Sequence, residues 1–163
     1  MSDSGYVILE GLPTPQVYHD IRKLAGLTPP PLEPIAKSLA NSFACFLAYE
    51  RKHMLNDTTP GPEQTAVAMG RLLGDGALFL QVCDVAVLPQ HQRKGLGGRI
   101  MQTLMDYVDE NAPLAYVSLV ADPAGQKLYP KFGFKDVKPS VGMFKMRGKR
   151  IQDEAVEEDV GEV

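Results

Sequence analysis

The sequence predicts a mixed α/β (α+β) layer structure: one central, mostly antiparallel sheet flanked by helices. Three observations predict it. Short β-branched and aromatic runs alternate with amphipathic helical patterns in the order β-α-α-β-β-β-α-β-α-β-β. The early strands read as hairpins, two of them separated by the turn Gly74-Asp75-Gly76. The chain has 163 residues, 44% apolar and 23% charged, the composition of one globular domain. A chain of this length buries a core without disulfides or metal. Residues 1–150 are read as that domain, and 151–163 as an acidic, disordered tail.

Each element has a local reason. Tyr6-Val7-Ile8-Leu9 reads as a short strand. Thr14 followed by Pro15 is a helix cap with proline at the first helical position. Val17, Ile21 and Leu24 then recur at helical spacing up to Gly26. Pro34 opens a second helix with Ile35 and Leu39 on one face. Residues 44–50 read as a strand, 51–64 as a long polar loop, 65–73 as a strand and 77–88 as a long, nearly continuous apolar strand. After a glycine-bearing loop, Leu96, Ile100, Leu104 and Val108 form one helical stripe, with Met101 and Met105 read as core packing. Residues 114–121 read as a strand, 126–131 as a short helix, Phe132-Gly133-Phe134 as a turn into a strand, and 141–147 as the last strand.

Composition excludes several classes. The formal net charge is −3, which speaks against a protein living on nucleic-acid backbones. That charge is not spread evenly. The stretch from Asp153 to Val163 holds six acids and no base, leaving 17 bases against 14 acids before it, a net +3. No run approaches the ~18 apolar residues of a membrane span, and the acidic N-terminus is not a signal peptide. A cytoplasmic protein is expected, with no nucleic acid and no membrane among its partners. The oligomeric state stays open, with a homodimer as one option. Cys45 and Cys83 lie in apolar runs and read as buried thiols. The three histidines, His19, His53 and His91, share no metal-ligand spacing, so no metal is expected.

The informative segment is Val85-Ala86-Val87-Leu88-Pro89-Gln90-His91-Gln92-Arg93-Lys94-Gly95-Leu96-Gly97-Gly98-Arg99. A buried strand runs into a glycine loop, and the loop opens a helix. The first amides of a helix lack intrahelical partners, and with the helix dipole they form an anion site. Gly95, Gly97 and Gly98 let an anion approach the backbone, and Arg93, Lys94 and Arg99 add positive charge. The phosphate loop G-x-x-x-x-G-K-[ST] is absent, and Ile100 stands where a dinucleotide fingerprint requires its third glycine. Gln92-Arg93-Lys94-Gly95-Leu96-Gly97 matches Q/R-x-x-G-x-G/A completely.

On this segment the sequence resembles the GNAT N-acetyltransferase superfamily, firmly from about Leu78 to Asp136. The family's second signature, N-x-x-A-x-x-L-Y-x-K-x-G-F, appears as Asp122-Pro123-Ala124-Gly125-Gln126-Lys127-Leu128-Tyr129-Pro130-Lys131-Phe132-Gly133-Phe134, with Asp122 for Asn and Gly125 for Ala. The resemblance implies a site for acetyl-CoA, released as CoA. Its pyrophosphate would sit on the amides of Gln92 through Gly97, and its pantetheine arm beside Val85, Ala86 and Val87, where two strands splay apart. Gly98, Arg99, Asp122 and Lys131 complete the cofactor residues. Tyr129 matches the tyrosine that protonates the departing thiolate; a phenol with pKa near ~10 suits that task. The amide of Val85 would stabilise the carbonyl oxygen.

The base is less defined. The family's Glu or His positions hold Gln81 and Cys83. Asp84 points away from them in a regular strand. A bulge would re-aim it as a catalytic group, and the alternative is a hydrogen-bonded structural carboxylate with water removing the amine proton. The acceptor is expected to be a small-molecule amine against Tyr49, Gln81, Cys83, Met143 and Phe144. A protein or peptide amine, or an acyl-CoA-binding module without turnover, is the alternative.

Overall fold

The computed structural model describes residues 5–148; the acidic tail expected at 151–163 lies outside them. Strand β1 (Tyr6–Glu10) is followed by α1 (Pro15–Leu24), α2 (Ile35–Ala40) and β2 (Ala44–Glu50). The Thr14 side chain accepts from the Val17 amide at 3.2 Å, so the cap forms as expected. The polar loop carries a small antiparallel ribbon, β3 (Met54–Asn56) with β4 (Thr59–Pro60). Then come β5 (Ala68–Gly74), β6 (Phe79–Val87), α3 (Leu96–Asn111) and β7 (Tyr116–Ser118). The turn between β5 and β6 is held by Asp75, whose carboxylate accepts from the amides of Ala77, Leu78 and Phe79.

The main sheet has the order β1-β2-β5-β6-β7. The first four strands are antiparallel neighbours, and β7 joins β6 in parallel, with α3 as the crossover. Alternate residues of β2 feed two cores. Ala44, Phe46 and Ala48 join Leu96, Ile100, Met101 and Leu104 of α3 on one face. Cys45 and Leu47 join Tyr18, Ile21, Ile35 and Leu39 of α1 and α2 on the other. Burial on both faces explains the unbroken apolar run of β2. Gly70 is required by packing: a Cβ there would overlap Ile100 Cγ2 and touch Leu104 Cδ1 at 3.0 Å, so the missing side chain lets α3 lie close on β5.

The C-terminal expectations need correction. Residues 126–131 form no α-helix; short 3₁₀ turns at Pro123–Gly125 and Tyr129–Phe132 stand in this region. Pro130 has no amide to donate to a helix ladder. The strand expected at 114–121 shrinks to the three residues of β7. Residues 141–147 form no strand, and Met143 and Phe144 are 90% and 88% exposed. A strand exists only by pairing, and β7's outer edge is unpaired among the described residues.

Candidate active site

Strand β6 changes face partway along. Leu80 and Val82 pack toward α3, as do Val85 and Val87, whereas Ala86 packs toward α1 and α2. A strict alternation would put 82 and 85 on opposite faces. A β-bulge supplies the extra residue: pairing jumps from Met69↔Ala86 to Arg71↔Cys83. At its centre Asp84 has φ 57°, a left-handed conformation costly for a non-glycine residue.

The bulge delivers the Asp84 carboxylate to the α1 side, where three donors hold it. Tyr18 Oη donates to Oδ2 at 2.9 Å, Arg71 Nε donates to Oδ2 at 2.7 Å, and Arg22 Nη1 donates to Oδ1. Arg71 donates onward to Ser38 O at 3.0 Å and to the hydroxyls of Ser38 and Ser42 at 3.2 Å. Arg22 donates to Thr28 O through Nε at 3.0 Å and Nη2 at 2.8 Å. Asp84 and Arg71 are 7% and 5% exposed, and no buried side-chain N or O among the described residues lacks a partner. The cluster is therefore a satisfied buried network. Burial, and next the Asp84 charge, push the Tyr18 phenol up to about 12. The same two causes push the Cys83 thiol to about 12, and burial takes Cys45 to about 11, so both cysteines stay protonated.

Tyr18, Arg22 and Arg71 were not singled out in the sequence. One signal was present: Arg71 and Asp84 are lone, opposite charges in otherwise apolar strands, and such charges persist in a core only when paired. Asp84 meets the re-aiming expected of it, but its lone pairs are taken by two guanidinium groups and a phenol. That is the geometry of a positioning carboxylate rather than of a proton acceptor.

On the other edge of β6, the pairing with β7 ends at Gln81↔Ser118, while β6 runs on to Val87. The strands splay there, opening a cleft of about 700 Å³. One end of the cleft is the glycine loop. Gln92 Nε2 donates to Val87 O at 2.9 Å, folding the loop back on the strand end. Gly95 caps α3 at φ 75°, Arg93 sits at φ 59°, and no side chain caps the helix. A Cβ on Gly95 would meet nothing within 4 Å, and on Gly97 only Leu128 and Val87 at 3.8 and 3.9 Å. The left-handed turn calls for glycine at 95, but side-chain packing does not demand it at 97, and the open space above the amides fits an anionic group.

The cleft is lined by Val85 to Val87, by Gln92, Arg93 and Gly95 to Gly98, and by Asp122 across from them. Three predicted cations lie elsewhere. Lys94 and Lys131 are exposed and outside the lining, and Arg99 donates to Tyr6 O at 3.3 and 3.4 Å. His91 is a rim residue whose Nδ1 lies 2.9 Å from Tyr6 Oη.

Tyr129 lines the same cleft as Val85 to Val87. Burial, and then the Asp122 charge, raise its pKa above that of an ordinary phenol, keeping it in the proton-donating form. A Cβ on Gly125 would lie 3.0 Å from Tyr129 Cε2 and 3.3 Å from its Oη. The glycine that departs from the family pattern therefore makes room for this ring. Of the predicted acceptor residues, Gln81 and Cys83 line the cleft beside Ala25 and Leu27. Tyr49 packs against the α1–α2 core instead, and Met143 and Phe144 stand in solvent. Among the described residues no cluster of three His, Cys, Asp or Glu could hold a metal, and no helix is long and apolar enough to cross a membrane.

A family model described as an acetyltransferase (GNAT) domain matches residues 42–136. A solved structure of a protein of unknown function from meticillin-resistant Staphylococcus aureus, described as a probable acetyltransferase, is 33% identical, with a TM-score of 0.74; 87% of this chain and 99% of that one are covered. Two more distant structures share the fold. The ribosomal-protein-S18-alanine N-acetyltransferase of Escherichia coli is 19% identical with a TM-score of 0.61, covering 82% of this chain and 79% of that one. Glucosamine-6-phosphate N-acetyltransferase of Arabidopsis thaliana is 16% identical with a TM-score of 0.57, covering 86% and 97%. No curated protein matches the chain.

Proposed function

The chain belongs to the GNAT acetyltransferase family, and from that premise we propose that it transfers an acetyl group from acetyl-CoA to the primary amine of a small molecule. The observation that carries this reading is the splay of β6 from β7, which joins the glycine-opened start of α3 to Tyr129 in one cleft. Acetyl-CoA supplies an activated acetyl thioester. The amides of Gln92 through Gly97 hold its pyrophosphate, with Arg93 beside them. Val85, next after the bulge, donates its amide hydrogen to the thioester oxygen as that oxygen gains charge. The neutral amine nitrogen bonds to the carbonyl carbon and the carbon–sulfur bond breaks. Tyr129 donates its hydroxyl proton to the departing sulfur, and the amine's surplus proton passes to water.

The acceptor side supports a compact, uncharged-bodied amine. Gln81, Cys83, Ala25 and Leu27 are neutral, and the carboxylate there, Asp84, is engaged by Arg22 and Arg71. Similar folds serve both kinds of acceptor: one relative is named for a protein's alanine and another for a sugar phosphate.

The test is thiol release from acetyl-CoA across a panel of small amines and peptides, with the acetylated product identified by mass. Amine-dependent release with small amines is expected. Release with peptides alone would move the acceptor to protein, and tight CoA binding with no release would make the chain a binding module. Asp84→Asn separates positioning from proton removal. A kcat drop with an unchanged pH profile fits positioning; loss of the profile's acidic limb would make Asp84 the base.

A further inference from the structure

The buried cluster behind the bulge holds more positive than negative charge. Arg22 and Arg71 both pair with Asp84, and neither has a second carboxylate partner among the described residues. Two cations and one anion leave a surplus of +1. An arginine does not shed its proton to relieve it. The neighbouring acids give no relief either. Burial, and next the Asp84 charge, push the Tyr18 phenol and the Cys83 thiol up to about 12, so both stay neutral. A positive charge withdrawn from water is costly until a counter-charge meets it.

The cluster meets the cleft through Arg22. Arg71 is turned inward, with Nη1 on Ser38 and Ser42 and Nη2 3.4 Å from Tyr18 Oη, and it is not part of the lining. The Arg22 side chain is 16% exposed and lines the cleft beside Ala25 and Leu27. Its Nε and one hydrogen of Nη2 donate to Thr28 O, and one hydrogen of Nη1 donates to Asp84. A guanidinium carries two hydrogens on each terminal nitrogen. One hydrogen on Nη1 and one on Nη2 therefore have no acceptor among the described residues. Spare donors and surplus charge at the wall of a cleft suit an anionic group.

Arg22 pairs with Asp84, the residue before Val85, so this anion site lies on the acceptor side close to the reacting carbonyl. We propose that the amine acceptor also carries a carboxylate, and that Arg22 holds it; the inference rests on the acetyl-transfer reading above. The neutral lining of Ala25, Leu27, Gln81 and Cys83 takes the uncharged body of the acceptor, and Arg22 takes its anionic end. One carboxylate cancels the surplus of +1, whereas a phosphate monoester would bring about −1.5 to −2.

Thiol release by the full chain is compared between amino acids and amino alcohols of equal length: glycine with ethanolamine, β-alanine with 3-aminopropanol, and 4-aminobutyrate with 4-aminobutanol. The two amines of a pair have similar basicity, so each pair isolates the carboxylate. In at least one pair kcat/KM should be at least about tenfold higher for the amino acid. Arg22→Gln should bring that ratio close to one, whatever it does to the overall rate. Equal kcat/KM within every pair, or a ratio unmoved in a folded Arg22→Gln protein, would overturn the proposal. A readout without turnover separates its failure from that of acetyl transfer. Butyrate and 1-butanol are titrated into the CoA-bound protein while the Arg22 Nε–Hε resonance is followed. A saturable shift with butyrate alone is expected, and no shift overturns the anion site even if amines are acetylated. A shift with butyrate but no release from any amine overturns the acceptor and the transfer reading together, and only the anion site survives.

Discussion

The two flanks of the sheet solve the same problem differently. In the first flank β2 and β5 are paired on both edges and buried on both faces, and β5 and β6 are tied to α1 by the Asp84–Arg71–Arg22–Tyr18 cluster. From β7 to Met146 one strand edge is bare, the turns are short and large apolar side chains face solvent. The first flank holds the geometry of the site; the second supplies Tyr129. If Tyr129 is the acid proposed above, stability and chemistry fall on opposite sides of the cleft, as expected when groups that must approach substrate sit on less constrained elements.

The sharpest way to break this comparison is to disturb the cluster. Arg71→Met leaves Asp84 buried with one guanidinium fewer and should cost about 3–5 kcal/mol in urea unfolding. A loss under about 0.5 kcal/mol would show that the first flank is not the stabilising one. Tyr129→Phe tests the other side. It should lower kcat by about 10²- to 10⁴-fold, leave KM within a few-fold and leave the melting temperature unchanged; an unchanged kcat removes the acid role. Next comes Gly70→Ala, which must push Ile100 away from β5 and should cost about 1–3 kcal/mol with little change in kcat. The smallest effect concerns pH. The Tyr18 phenol titrates at about 12 when folded against an ordinary 10.0, so the folded state keeps a proton that the unfolded state releases. Its stabilising contribution is complete below pH 10 and is lost as pH rises toward 12. Tyr18→Phe should remove one proton's share of the alkaline slope in unfolding titrations; an unchanged slope would place the Tyr18 hydroxyl outside the cluster's energetics.

Much of the first flank could be read locally. The Thr14-Pro15 cap, the stripe of Leu96, Ile100, Leu104 and Val108, and the strand at 44–50 each follow from a few neighbouring residues. The glycine loop was equally legible, since turn geometry and helix-start amides are short-range properties. The second flank was not. Residues 141–147 have a strand's pattern, but a pattern does not provide a partner, and Met143 and Phe144 lie outside the acetyl-transfer cleft because none is present for them there. Tyr49 looked like a wall residue and packs into the α1–α2 core, because aromatic character does not distinguish a pocket from a core.

Sequence alone pointed to the family, most of the elements up to α3 and the glycine-opened start of that helix, because these depend on spacing within a few turns of chain. It also marked Asp84 as a residue whose role hung on a bulge. Tertiary structure decided where its carboxylate lies and what holds it. Whether one extra residue in β6 exposes a base or buries a structural carboxylate depends on what waits on the far face. Here Tyr18 and Arg22, separated from Asp84 by 66 and 62 residues, meet it with Arg71 across the bulge. Buried charge is tolerated only where partners converge, and that convergence is a property of the packed sheet rather than of any segment.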